Sequence, residues 1–129
     1  MVQCATVVKF LAWLVNRTPG VRTQLEDWNR IVQFSLSGED PFYVTLADGR
    51  MKFNLGEAQK PHLEFVSKSK DFFDVMVGKT KFDQGFSQGT YTIRGSMTDA
   101  VKLMRVSELT FDSHPNLNKL MKSVSRMLA

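Results

Sequence analysis

The middle of the chain alternates apolar and polar side chains with a period of two. Val32, Phe34 and Leu36 are separated by Gln33 and Ser35, which is the repeat of a half-buried strand. The same alternation returns at Phe42, Val44 and Leu46, and again at Met51, Phe53 and Leu55. Asp48-Gly49 stands between these last two runs. That dipeptide accepts the positive φ angles of a type I′ turn and predicts a hairpin. Gly38 marks the preceding turn less sharply. Leu63 with Phe65, and Tyr91 with Ile93, predict a fourth and a fifth strand. Such a sheet has one oily face and one polar face carrying Thr45, Lys52, Glu64, Thr92 and Arg94. Helices are expected to cover the oily face.

The flanking segments change to a helical period. Residues 3–16 predict a helix stopped at Thr18-Pro19-Gly20, and a second short helix is expected from Val21 to Asn29. Between the fourth and fifth strands, Ser69 is the expected N-cap of a helix running through Phe72, Phe73 and Met76 and closed by Gly78. Residues 81–86 are expected as a turn. Ser96 caps the next helix, on which Met97, Ala100, Val101 and Met104 recur at i, i+3, i+4 and i+7. Thr98, Asp99, Lys102 and Arg105 occupy its opposite arc. After a break at Pro115, Leu117, Leu120, Met121, Val124, Met127 and Leu128 make a narrow apolar stripe backed by Lys119, Lys122 and Arg126. With no repeat, linker or low-complexity tract, the chain reads as one domain over residues 1–129, with 115–129 a C-terminal amphipathic helix.

Composition narrows the class of protein. A chain of 129 residues, 43% apolar and 23% charged, suffices for a folded core and argues against disorder. The formal charge of +4 is too mild to point to a partner by itself. One cysteine, Cys4, excludes an internal disulfide and a cysteine-based metal site. The apolar run from Ala5 to Val15 contains Lys9 and is too short to span a bilayer. It lacks the basic leader of a secretory signal, and the last residues are not a Ser-Lys-Leu address. The cytoplasm is the expected compartment.

The candidate catalytic motifs fail on spacing. Gly78-Lys79-Thr80 imitates the end of a phosphate-binding loop, but Phe73 stands where that motif needs glycine. Asp112, Ser113 and His114 are consecutive and cannot form a nucleophile–base–carboxylate relay. His62 falls on the polar side of a strand, and the histidines have no metal-ligand spacing. Tyr43, with Lys52 and Arg94, is too little aromatic and basic surface for nucleic acid. No catalytic residue, metal, cofactor or nucleic-acid partner is expected. The unusual feature is ten phenylalanines and seven methionines. Methionine suits adaptable apolar surfaces, but a solid core and a pocket lining share this chemistry, so both readings stay open.

The order of motifs after Ser69 adds to this. Asp71-Phe72-Phe73 leads to Gly78-Lys79, then Gly85-Phe86-Ser87-Gln88-Gly89 leads into Tyr91-Thr92-Ile93. Arg94-Gly95-Ser96-Met97 follows, then Ala100-Val101-Lys102-Leu103-Met104. With the preceding meander, this stretch resembles the sterol carrier protein type-two family over roughly Val21 to Leu109. The resemblance implies an α+β fold with a five-stranded, mostly antiparallel sheet, covered on one face by helices and enclosing a hydrophobic tunnel. It further implies a tunnel lined or gated by Phe73, Met76, Phe82, Phe86, Gln88, Met97, Val101 and Met104. Gln88 would either bond a ligand head group or serve the turn. The C-terminal helix would be a lid, its stripe (Leu117, Leu120, Met121, Val124) over the tunnel mouth and Lys119, Lys122 and Arg126 toward an anionic membrane; alternatively it simply closes the core. The expected function is non-catalytic binding or transfer of a fatty acyl, phospholipid or sterol-like ligand. A dimerisation or accessory module with a collapsed cavity is the alternative, a homodimer its expected form. An enzyme acting on an apolar substrate would lack a visible general base.

Overall fold

In the computed structural model, which describes residues 3–76 and 79–125, all five expected strands are present. They are β1 (Arg30–Ser37), β2 (Phe42–Ala47), β3 (Arg50–Leu55), β4 (Leu63–Lys68) and β5 (Tyr91–Gly95), in the sheet order β3-β2-β1-β4-β5. Neighbours pair antiparallel except β1 and β4, which run parallel with Val32 opposite Leu63 and Phe34 opposite Phe65. Ala47 pairs with Arg50 across the β2–β3 turn. Both turn residues have positive φ, 55° at Asp48 and 71° at Gly49, as a type I′ turn requires.

Helices lie on the oily face. α1 (Cys4–Val15) packs against β3 and the long helix α5 (Met97–Asp112). α3 (Ser69–Met76) follows β4, and α6 (Pro115–Ser125) rests on α3 and α5. Phe34 is the hub of the core, with ring centroids 4.9 Å from Phe42, 5.5 Å from Phe65 and 5.3 Å from Phe72. Each such pair contributes about 0.5–1.5 kcal/mol beyond the burial of its area. The alternation weakens along β3, where Phe53 is half-buried and Leu55 is 75% exposed.

Two side chains tie α1 to the rest. Glu39 accepts from the backbone N–H of Cys4 (3.0 Å) and Ala5 (2.8 Å), so a carboxylate meets the positive end of the helix. At the other end, Asn16 exchanges two hydrogen bonds with the Met51 backbone, both 2.8 Å, as a neighbouring strand residue would. Cys4 donates its thiol to the Ser69 carbonyl at 3.0 Å. Burial, reinforced by Glu39, pushes the Cys4 pKa above the ordinary thiol range.

The structure departs from the sequence pattern at several places, each with a physical cause. Residues 81–86 are not a turn, because Phe82–Ser87 form a short helix, α4. Gly85 lowers its helical propensity but is needed there, since a Cβ would stand 2.7 Å from Cε1 of Tyr91. The helix expected over 21–29 begins earlier, at Pro19, whose missing N–H costs nothing in a first turn. It comprises α2 (Pro19–Arg22) and a 3-10 turn (Thr23–Leu25), and ends where Glu26 turns extended and Asp27 takes a φ of 57°. Ser69 is the first residue of α3, with its hydroxyl bonded to Ser37 and Glu39. Gly78 lies outside the described residues. Gln33 sits on the expected polar face yet is buried, because the segment after β3 folds over it. Its amide donates to Phe42 and Gly56 carbonyls and accepts from Ala58 N–H at 2.7 Å.

Candidate ligand-binding site

The space between the sheet and the helices is the place where an apolar guest would sit. It is lined by Val8 and Leu11 of α1, Phe34, Val44 and Met51 of the sheet, Phe72 and Met76 of α3, and Leu103, Met104 and Ser107 of α5. These ten residues come together because the three helices turn their apolar stripes onto one sheet face. Ser107 is the one polar group among them, and it already donates to the Leu103 carbonyl of its own helix at 3.1 Å. The void itself is about 10 Å³. That is the scale of a single water, and an apolar lining gives water no partners. The guest-sized tunnel that the resemblance implies is not present between these layers, where Met51, Met76, Met104, Phe34 and Phe72 fill the space.

Of the eight tunnel residues expected from sequence, Met76 and Met104 line this void. Phe73 is fully buried in the core but does not line the void, and Phe82 is half-buried against the core. Phe86 (44% exposed), Met97 (39%), Val101 (43%) and Gln88 lie on the outside. The buried stripe of α5 is rotated from the expected one and runs through Ala100, Leu103, Met104, Ser107, Thr110 and Phe111. Ser107 and Thr110 concealed it, because in sequence they read as polar. In the structure each hydroxyl bonds the carbonyl four residues back, which removes its need for water.

Asp99, expected on the exposed arc, is buried. Its carboxylate accepts from Trp28 Nε1 at 2.9 Å and Arg30 Nε at 2.8 Å. Lys102 stands 4.7 Å from the Trp28 ring. The first turn of α5, capped by the Ser96 hydroxyl on the Asp99 N–H (3.2 Å), is therefore clamped to the segment entering β1. Gly95, just before it, has φ of 110° and lies so close to the His62 carbonyl that a Cβ would collide with it. On the other side, the Tyr91 hydroxyl donates to the Phe82 carbonyl and holds α4 against β5. Burial, with Asp83 adding to it, pushes the Tyr91 pKa up to about 12.

On α6, Leu117 packs on the core, whereas Lys119 and Leu120 (56%) are exposed. The side chains of Met121, Lys122 and Val124, and Arg126, Met127 and Leu128 as a whole, lie outside the described residues. His62 does not simply face solvent, since its Nδ1 accepts the Ile31 N–H at 3.0 Å. Among the described residues, no group of three or more His, Cys, Asp or Glu is placed to hold a metal ion. No helix among them is long and apolar enough to cross a membrane.

This arrangement can be set beside known proteins. The profile of the SCP-2 sterol transfer family matches residues 11–108, most of the chain and nearly all of the sheet-and-helix unit just described. The chain belongs to the SCP-2 sterol transfer family. SCP-2 domains are in general lipid-binding, non-catalytic units. Solved structures agree on the fold. A UbiJ-SCP2 ubiquinone synthesis protein superposes with a TM-score of 0.68 at 9% identity, over 83% of this chain and 90% of that one. Sterol carrier protein domain 2 of Helicoverpa armigera gives 0.63 at 21% identity, over 82% and 84%. Part of a larger enzyme also shares the fold: the inverting sec-alkylsulfatase Pisa1 of Pseudomonas sp. matches with a TM-score of 0.58 at 14% identity. There this chain covers 67% of itself and spans only 13% of the alkylsulfatase. No curated protein matches the SCP-2 chain in sequence.

Proposed function

We propose that this chain holds a fatty acyl, phospholipid or sterol-like molecule between the sheet and the helices α1, α3 and α5, and transfers it without catalysing a reaction. The observation that carries this reading is the lining itself. Ten residues meet there, nine apolar and one hydroxyl already satisfied, and three of them are methionines able to change rotamer at little cost. Burying a C16 chain gains about 10 kcal/mol before association and ordering costs, at roughly 0.8 kcal/mol per methylene. Some of that gain must open a core whose void is about 10 Å³. Each ~1.4 kcal/mol by which the closed state is favoured weakens the apparent affinity about tenfold. Binding therefore survives a closed resting state provided the preference for it is a few kcal/mol.

The expected gating residues fit an entrance rather than a lining. Phe82, Phe86 and Gln88 belong to α4 and its C-terminal end, and Met97 and Val101 to the outer side of α5. Phe73 is buried in the core. On this reading α6 is a lid, with Lys119 outward, and the protein works in the cytoplasm. The small void favours one second reading, an accessory or dimerising module whose core never opens.

Leu103→Ala separates the two. It enlarges the space at a lining position, so stability falls by about 2–5 kcal/mol. If the space is the binding site, affinity for a fluorescent fatty acid rises in the same variant, because less core must be displaced. A loss of stability with no gain in affinity contradicts the carrier reading.

A further inference from the structure

We propose that the open edge of β3 pairs with the same edge of a second copy of this chain, giving a two-fold dimer with one sheet running through both copies. β3 is an edge strand, bonded to β2 on one side only. Gly56, just past its end, donates its N–H inward to the Pro41 carbonyl at 3.0 Å. Backbone groups alternate sides along an antiparallel strand, so Arg50, Lys52 and Asn54 also bond inward. Met51, Phe53 and Leu55 therefore aim their N–H and C=O groups away from the sheet. Met51 is already satisfied by its two hydrogen bonds with Asn16. Among the described residues, nothing bonds the outward backbone groups of Phe53 or Leu55. Leu55 is 75% exposed, and Phe53 is half-buried with its ring 5.5 Å from that of Phe42. Free backbone beside large apolar side chains is a template for a further strand.

Both ends of this edge limit the register. Asn16 stops pairing at Met51. At the other end Gly56 takes a φ of 97°, and the chain turns over the sheet to Gln33, which accepts from the Ala58 N–H at 2.7 Å. The antiparallel register that uses both free residues sets Phe53 opposite Leu55 of the second copy, and Leu55 opposite its Phe53. Each pair exchanges both backbone hydrogen bonds. On the oily face each also sets an aromatic ring against a leucine. On the polar face Asn54 meets its own counterpart at the two-fold axis, and Lys52 stands opposite Gly56 of the second copy, next to its Glu57. Lys52 and Glu57 are both exposed, so opposite charges meet at each end of the contact. This complementarity of the edge to itself selects a second copy over a foreign strand. The contact is short, so the dimer is transient and its population depends on concentration. It goes beyond the carrier reading without requiring it, since neither Phe53 nor Leu55 lines the void.

The test follows the full chain by sedimentation velocity over a range of protein concentrations, without lipid. The wild type is expected to shift from monomer toward dimer as concentration rises. Leu55→Pro removes an outward donor and no bond to β2, a place where an edge strand tolerates proline. That variant is expected to lose the shift and stay monomeric, with little change in melting temperature. Asn54→Cys reads the register. Opposite residues of a non-hydrogen-bonded pair have Cα atoms about 4.5 Å apart, within the span of a disulfide. With diamide as oxidant, Asn54→Cys is expected to form a covalent dimer and Lys52→Cys to form none. The native Cys4 is fully buried and does not compete. A wild type that is monomeric at every concentration overturns the proposal. So does a Leu55→Pro variant that still dimerises, or equal cross-linking at positions 52 and 54. Should Leu55→Pro fail to fold, the two cysteine variants decide alone. Fatty-acid binding is expected to be equal in the wild type and Leu55→Pro. A chain that dimerises through β3 but binds no fatty acid keeps the dimer and loses the carrier reading.

Discussion

Asp99 joins the start of α5 to the segment entering β1 through one carboxylate, which accepts from the Trp28 indole and the Arg30 guanidinium. Burial alone would raise its pKa, but the hydrogen bonds from Trp28 and Arg30, with the Arg30 charge, outweigh that and hold it below the ordinary carboxylate range. The folded-state value is thus lower than the unfolded one. The clamp contributes in full above about pH 4, and its contribution is lost as pH falls through the lowered value. Asp99→Asn is therefore expected to lower stability by about 1–3 kcal/mol at neutral pH. Urea titrations of both proteins should show that gap narrowing below about pH 4, whereas an equal gap at pH 7 and pH 3 would contradict the clamp. Helical periodicity places Asp99 on the same arc as the exposed Thr98 and the half-buried Lys102 and does not single it out as buried. Its partners are 71 and 69 residues away. Gln33 was hidden for the same reason, because its burial depends on a segment 23–25 residues further along.

At the level of elements, short-range chemistry was legible and long-range choices were not. The β2–β3 hairpin could be read because Asp48-Gly49 fixes the turn and the flanking pairs follow by alternation. The parallel pairing of β1 with β4 leaves no such mark. The existence of α5 was visible, but its buried stripe was not, since two of its members, Ser107 and Thr110, satisfy their hydroxyls within the helix. α4 is hidden in the sequence by Gly85 within it and Gly89 just beyond its end. For α6, the packing of Leu117 and the exposure of Leu120 divide the helix between core and solvent. If α6 is a lid, a chain ending at His114 is expected to lose transfer of a fluorescent phospholipid between vesicles as well as melting temperature. Lower melting temperature with transfer intact would make α6 a simple closure of the core.

For the molecule as a whole, the residues that the family resemblance assigned to a tunnel are divided between a filled interior and an outer rim. Met76 and Met104 are inside, and Phe86, Met97 and Val101 are outside. Residue type marked a region rich in Phe and Met, but the spacing between layers depends on how all the side chains pack at once. Val8 and Leu11 of α1 complete the lining, a role that the apolar run of that helix permitted but did not specify. On the proposed carrier reading, loading would exchange protein–protein apolar contacts for protein–lipid ones, with Met51, Met76 and Met104 the lining side chains expected to move.

Native mass spectrometry of the freshly purified full chain, without added lipid and without detergent, tests that claim most directly. The account predicts a fraction of molecules heavier than the 129-residue polypeptide by the mass of one lipid, lost on gentle activation. It also predicts that the apo fraction regains such a mass when fatty acid is added. A spectrum showing only the bare chain, unchanged by excess fatty acid, would contradict it.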